Sequence, residues 1–345
     1  MLNIDVIAVF GPNDEIRGAY SRALAKATGR TLVPAIEVLY DHDPGSAAID
    51  YLRWFSGDIA AVAELPATAL PTELIAACAS DQKTGINSLR LSAIVCILDA
   101  EQLMDELTTE DFLVAAVDSC GCPSDFIARA SITATQIELA QTVIITNWQR
   151  LTTAQLSQTM ALISALSPTA TVRLADPHTL LIPGAAENTV VQDRAGWMQI
   201  LSGCAAPPFQ DSSISWLRYE QLRPFHPQRL AQLLQHDFTE HRLGRIMRSG
   251  GFCRFATRRG ELLLWDQVGS TIAFHQVSNS ADDDPEYFAI SQDLALIGIN
   301  LDHEAIIAGL DTAVLSDEEF AAGPALWREL VDPFPASETA SDTAG

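Results

Sequence analysis

Short, mostly apolar runs alternate with longer stretches in which apolar positions recur at helical spacing. Ile4–Phe10 (IDVIAVF) predicts a strand that stops at Gly11-Pro12-Asn13-Asp14. Ile16, Tyr20, Leu24 and Ala27 then share one face of a helix from Glu15 to about Thr28. Further strands are expected at Thr31–Leu39, Ile59–Leu65, Leu91–Leu98, Thr142–Thr146 and Thr171–Leu174. Helices are expected at Pro44–Phe55, Pro71–Ala79, Asp99–Thr108, Pro123–Ala140 and Thr153–Leu166. Strands apolar throughout and spaced by helices describe a parallel sheet covered on both faces, so the expected fold is α/β, doubly wound and mostly parallel. Ligands of such sheets bind beyond the carboxyl ends of the strands. Here that edge holds Gly11–Asp14, Tyr40–Asp43, Pro66, Asp99 and Asn147.

The pattern changes in the second half. Residues 176–212 have no sustained period, carry Pro177, Pro183, Pro207 and Pro208, and are expected to connect two domains, 1–175 and 213–335. Strands are expected at Ser213–Gln221, Arg245–Thr257, Glu261–Val268, Thr271–Val277 and Phe288–Ile299, and helices at His226–Gln235 and His303–Leu315. That order suits a small α+β domain. Residues 336–345 read as a disordered tail.

Charge narrows the partners. The 345 residues carry 21 Lys and Arg against 44 Asp and Glu, a formal net charge of −23. Direct nucleic-acid binding is therefore not expected, and a basic protein is the better electrostatic match. Only Lys26 and Lys83 are lysines. The arginines concentrate between Arg218 and Arg259, where nine of them make residues 217–259 net +6, whereas residues 276–345 are net −14. The simple reading is two faces that neutralise each other. No apolar run is long enough to span a membrane, no cationic leader is seen, and six cysteines are too sparse for a disulfide scaffold. A reducing cytoplasm is expected.

Several constellations invite chemistry. Cys120-Gly121-Cys122 offers two soft ligands, although zinc needs two more, so a pair of loop thiols at a helix start is the simpler reading. Asp41-His42-Asp43 at a strand end can serve as metal ligands or as a base, or as a turn before Pro44-Gly45. With Asp99 these three would form the polar groups of an unrelated α/β enzyme. His226 before Pro227 suits a helix N-cap or a partner contact. No Gly-x-Ser-x-Gly elbow is present.

The second half resembles the C-terminal domain of CobW-type proteins over about residues 215–335. The resemblance rests on Leu222-Arg223-Pro224-Phe225-His226-Pro227-Gln228-Arg229-Leu230, Arg248-Ser249-Gly250-Gly251-Phe252, Phe255-Ala256-Thr257-Arg258, Leu296-Ile297-Gly298-Ile299, Leu315–Glu319, Trp327 and Asp332-Pro333-Phe334-Pro335. In the first half, Glu64-Leu65-Pro66, Ile97-Leu98-Asp99-Ala100 and Gln136–Thr146 are similar to segments of the same family. The resemblance implies a P-loop NTPase-like first domain, GTP with Mg²⁺, and zinc or cobalt delivery, with many members answering zinc starvation.

The departures are specific. The family's Gly-x-x-Gly-x-Gly-Lys-Thr loop is Gly11-Pro12-Asn13-Asp14-Glu15-Ile16-Arg17 here, with no lysine and no hydroxyl for Mg²⁺. Its Asn-Lys-x-Asp is Asn147-Trp148-Gln149-Arg150, and residues 31–64 contain no cysteine, so its Cys-x-Cys-Cys is missing. Gly11, Asp99 and Asn147 then read as remnants of a nucleotide site. No catalytic residue and no cofactor are expected. The only metal candidates are Cys120, Cys122 and His42. The expected role is that of a pseudo-GTPase that binds a protein, with Arg223, Phe225, His226, Arg229, Arg245, Arg248, Trp327 and Phe334 as candidate contacts. The resemblance extends to actinobacterial relatives linked to recruiting a hibernation factor to ribosomes, which implies a ribosome-associated partner. The alternative is a zinc metallochaperone with residual GTP binding.

Overall fold

The computed structural model describes residues 3–39, 41, 43–54, 58–84, 88–117, 120, 122–176, 179–183, 195–238, 241–258, 260–279 and 292–335. Two compact units result: Met1–Ala195 with Pro207–Gln210, and Gly196–Ala206 with Asp211–Gly345.

The first unit is built on a six-stranded parallel sheet. Its strands are β1 (Asn3–Phe10), β2 (Thr31–Val33), β3 (Ile59–Glu64), β4 (Ser88–Asp99), β7 (Thr142–Thr146) and β8 (Thr171–Leu174), in the order β2-β3-β1-β4-β7-β8. The chain moves one way from β1 to β2 and the other way thereafter, so right-handed crossovers place α1 (Asp14–Thr28) alone on one face. Tyr20, Leu24 and Ala25 of α1 bury against Ile7, Val9, Val95, Ile97 and Ile144. The opposite face packs Ile4, Val6, Ala8 and Phe10 under Ala48, Ile49 and Leu52 of α2 (Pro44–Arg53) and Leu74 and Cys78 of α3 (Pro71–Thr84). The expected doubly wound sheet is present, and both its faces are apolar because both are covered.

Three local expectations fail. Thr31–Leu39 is extended only to Val33, and a short helical turn follows at Ala35–Glu37. The helix expected at Asp99–Thr108 shrinks to α4 (Leu103–Glu106). Pro123–Ala140 is not one helix. Its first part is β6 (Pro123–Ala128), an antiparallel partner for β5 (Phe112–Val117), and only α5 (Arg129–Leu139) is helical. The apolar spacing of Ile127, Ala130, Ala134 and Ile137 suits either form, and β5 supplies a hydrogen-bonding partner that periodicity does not reveal. After β7, α6 (Thr153–Leu166) starts with a Thr152–Gln155 capping box.

The second unit is a five-stranded antiparallel sheet, ordered β12-β11-β10-β13-β9. The strands are β9 (Ile214–Gln221), β10 (Arg245–Cys253), β11 (Glu261–Val268), β12 (Thr271–Asn279) and β13 (Gln292–Ile299). Helices α8 (Pro227–Leu233) and α9 (His303–Ala313) help close its core with Phe225, Leu230, Phe255, Trp265, Leu294, Leu296, Ile306 and Leu310. Within the stretch expected to be a connection, α7 (Gly196–Leu201) packs on β10 and β13. Gly250 makes room for its Trp197 ring, which an added Cβ would meet at 2.6 Å. The last described elements are α10 (Asp317–Ala322), α11 (Pro324–Trp327) and an arm to Pro335; the expected tail, 336–345, lies outside the described residues.

Asp43 caps α2 through the Ser46 amide (2.8 Å), and Asp41 accepts from the Asp43 amide (3.1 Å). Glu73 of α3 lies beside them, and burial, then the Asp43 carboxylate, push its carboxyl up to about 7. The folded chain therefore holds a proton that the unfolded chain releases from about pH 4.5 upward, and this contribution is lost as pH rises through 7. Glu73→Gln should match the parent near pH 4 and be more stable at pH 8. Urea midpoints at the two pH values check this, and equal differences at both would refute it.

Candidate functional site

The carboxyl ends of β1, β3, β4 and β7 bring Gly11, Asp14, Arg17, Glu64, Asp99 and Asn147 to one edge of the parallel sheet. Gly11 has φ +148°, and a Cβ there would lie 2.3 Å from the Ile97 carbonyl oxygen, so only glycine fits against β4. Asn13 caps α1 by accepting from the Ile16 amide (3.1 Å), which uses one of the free N–H groups at the helix start.

Arg17 dominates this loop. Its side chain is 2% exposed; Nη1 donates to the Gly11 carbonyl (2.6 Å) and Nη2 to Asp14 Oδ1 (2.7 Å). Nε lies 3.6 Å from Glu64 Oε1, an ion pair too long for a hydrogen bond. Gly18 leaves room for Glu64, whose Oε1 an added Cβ would approach to 3.1 Å. The one cation of the loop is thus already bound to a carbonyl and two carboxylates, and one of these, Asp14, is 81% exposed at the helix start. A magnesium triphosphate needs inward N–H groups, an uncommitted cation and a hydroxyl ligand. These residues do not fit it.

The other side of the edge is equally self-satisfied. Asn147, in the left-handed region at φ 54°, donates to Asp99 Oδ2 (2.8 Å), while Asp99 Oδ1 accepts from the Glu101 amide (3.0 Å). Arg150 is exposed and pairs with Glu101 (2.8 Å). Beside Asn147 a mostly apolar cavity of about 480 Å³ lies between α1 and the segment after β8, lined by Ile16, Tyr20, Ile144, Asn147, Asp176 and Leu181. Burial raises the Tyr20 phenol, whose hydroxyl donates to the Leu181 carbonyl (2.8 Å). Neither this cavity nor a second one around Asp5 and Arg30 is lined by Asp99, Asp41 or Asp43.

Among the described residues no group of three or more His, Cys, Asp and Glu is close enough to hold a metal. Cys120 and Cys122 are exposed at the turn between β5 and β6 rather than at a helix start. His42 lies outside the described residues.

Several of the candidate contact residues of the second unit make contacts within the protein. Phe225 is fully buried between Tyr219 and Trp265. Arg248 is buried, pairs with Asp266, donates to the Ser249 and Gln267 carbonyls and lies over the Trp197 ring. Trp327 is buried, donates to the Glu319 carbonyl (2.7 Å) and stacks on Phe320. Phe334 packs on Phe255 and Phe274. Phe225, Arg248 and Trp327 are thus buried, and Phe334 is half-buried against the ring cluster. Arg223 pairs with Asp317 (2.7 Å) and Arg229 with Glu319 (2.6 Å) and the Val314 carbonyl. The Arg229 guanidinium holds the Glu319 carboxyl down to about 2. His226 precedes α8 but its side chain makes no cap; its backbone N–H donates to Ala313, and burial, then Arg229, lowers its imidazole. Arg245 is half-buried at the start of β10. Arg259 lies outside the described residues. Four arginines of the basic stripe pair with acids of the C-terminal segment: Arg223 and Arg229 as above, Arg218 with Asp293 and Arg258 with Asp332.

Sequence reasoning missed two features. One is the inward role of Arg17, which an arginine three residues after Asp14 on a helix could have signalled. The other is the apolar hairpin β5–β6, whose signal was the strand-forming run FLVAAV before a turn-rich segment.

Arg17→Ala should cost about 3 kcal/mol, because Glu64 is left buried without its cation. Arg17→Lys should recover only part of this, since an ammonium cannot reproduce the fork. Denaturant unfolding of both variants checks the ranking, and a neutral Arg17→Ala would show that the pair contributes nothing.

Comparisons with known proteins find the following similarities. Residues 214–314 match the family described as Cobalamin synthesis protein cobW C-terminal domain. The Zinc-regulated GTPase metalloprotein activator 1 of Dictyostelium discoideum is 20% identical, over 72% of this chain and 57% of its own length, so the chain spans little more than half of that relative. The Zn(II)-bound YjiA GTPase of E. coli aligns at 14% identity, a TM-score of 0.39, and coverage of 91% of this chain and 100% of that one. A Zn(II)-bound triple mutant of YjiA aligns with the same values. Residues 214–314 of the second unit are thus similar to the cobW C-terminal domain, and the chain as a whole is weakly similar to a zinc-regulated GTPase metalloprotein activator.

Proposed function

We propose that this protein is a CobW-like pseudo-GTPase that works by binding another protein during zinc limitation, not by turning over nucleotide. The observation that carries the reading is the buried Arg17, bound to Gly11, Asp14 and Glu64. An entering triphosphate would have to break that network and face the exposed Asp14 carboxylate. The zinc setting is supported by the name of the Dictyostelium relative. The ribosomal setting, recruitment of a hibernation factor, is supported by the resemblance of the second half. A chain of net charge −23 favours a basic partner of either kind.

Titration of a fluorescent GTP analogue with Mg²⁺ tests the reading. No binding at millimolar nucleotide is expected, and micromolar affinity would overturn this reading in favour of the metallochaperone with residual GTP binding. Partner binding should weaken as salt rises from about 0.05 to 0.5 M, and a salt-indifferent affinity would contradict the electrostatic basis.

A further inference from the structure

The β5–β6 hairpin is the one described sheet of only two strands, and such a pair is marginal in water unless another element holds it. At its root, Arg129 makes a bidentate bond to the buried Glu106 (2.7 and 2.6 Å), and its amide donates to the Asp111 carbonyl (3.0 Å). Leu113 and Ile127 pair on one face and are half-buried. The other face is apolar and open. Val114 lies opposite Phe126, and Phe112 is two residues along on the same side; they are 42%, 57% and 60% exposed. Two phenylalanines and a valine side by side in water are a cost that a covering surface removes. Among the described residues the outer edge of β5 pairs with no other strand.

The charge around the patch selects what covers it. From Glu110 to Ala128 there are four acids, Glu110, Asp111, Asp118 and Asp125, and no Lys or Arg. Glu110, Asp111 and Asp125 are exposed. A second copy would bring acid against acid and is disfavoured. We propose that the β5–β6 hairpin docks an extended apolar segment of a partner protein flanked by Lys or Arg, added along β5 so that its alternate side chains cover Phe112, Val114 and Phe126. Free main-chain groups of β5 supply the hydrogen bonds, the aromatic pair the buried area, and the flanking acids the selection. This rests on the protein-binding reading above and assigns it a surface.

The test uses the full chain and a short synthetic peptide of alternating Val and Thr with lysines at both ends, against the same peptide with glutamates at the ends. Isothermal titration should show saturable binding of the lysine peptide only. Phe112→Ser/Phe126→Ser should weaken it at least about tenfold. Asp111→Lys/Asp125→Lys should weaken it too and lessen its salt dependence. Circular dichroism and unchanged melting of each variant establish that these surface substitutions leave the fold intact. Absence of lysine-peptide binding, equal binding of the glutamate peptide, or a wild-type dimer in sedimentation that the Phe double variant abolishes would each overturn the proposal. If the lysine peptide binds wild type and both variants alike, the hairpin assignment fails while protein binding stands. Micromolar GTP affinity, measured separately, would remove the pseudo-GTPase reading without bearing on the hairpin.

Discussion

A buried guanidinium organises the strand-end edge of the first unit. Arg17 is inaccessible to water, so its charge must be matched within the protein, and Gly11, Asp14 and Glu64 supply the matching oxygens. Each partner is then constrained in turn. Gly11 is pressed against Ile97 of β4, and Glu64 is confined beside Gly18. Removal of this cation would leave a carboxylate stranded at the junction of three strands. The same commitment leaves the loop no free positive charge for an anionic ligand. One interaction thus both stabilises the edge and shapes its chemistry.

The second unit distributes its charges differently. Its arginines lie early in sequence and its acids late, and folding brings them together: Arg218 to Asp293, Arg223 to Asp317, Arg229 to Glu319 and Arg258 to Asp332. Exposed pairs of this kind contribute little each. The Arg229 and Arg258 pairs are partly shielded, and each arginine also holds a backbone carbonyl of the C-terminal segment. Together with Trp327 and the Phe255–Phe274–Phe334 ring cluster, they fasten that segment to the sheet. These residues thereby act as fasteners of the second unit, while Phe112, Val114 and Phe126 form an open apolar patch on the hairpin of the first.

Much of the molecule was legible in its residues. Strands apolar at every position require cover on both faces, so the parallel sheet and its carboxyl edge followed from pattern alone, as did the antiparallel strands of the second unit. The missing lysine, hydroxyl and cysteines at the site are likewise facts of sequence. Periodicity reports which face of an element is apolar, but not which partner will meet it. Ile127 and its neighbours suit a helix or a strand, and only the presence of β5 decides for the hairpin. Burial is also a property of the fold: Phe225, Arg248 and Trp327 have residue types common at interfaces, yet long-range packing turns all three inward. Arg17 is the sharpest case. Its identity was plain, but whether its charge faced water, a ligand or Glu64 depended on the distance between α1 and the end of β3, which tertiary structure alone sets.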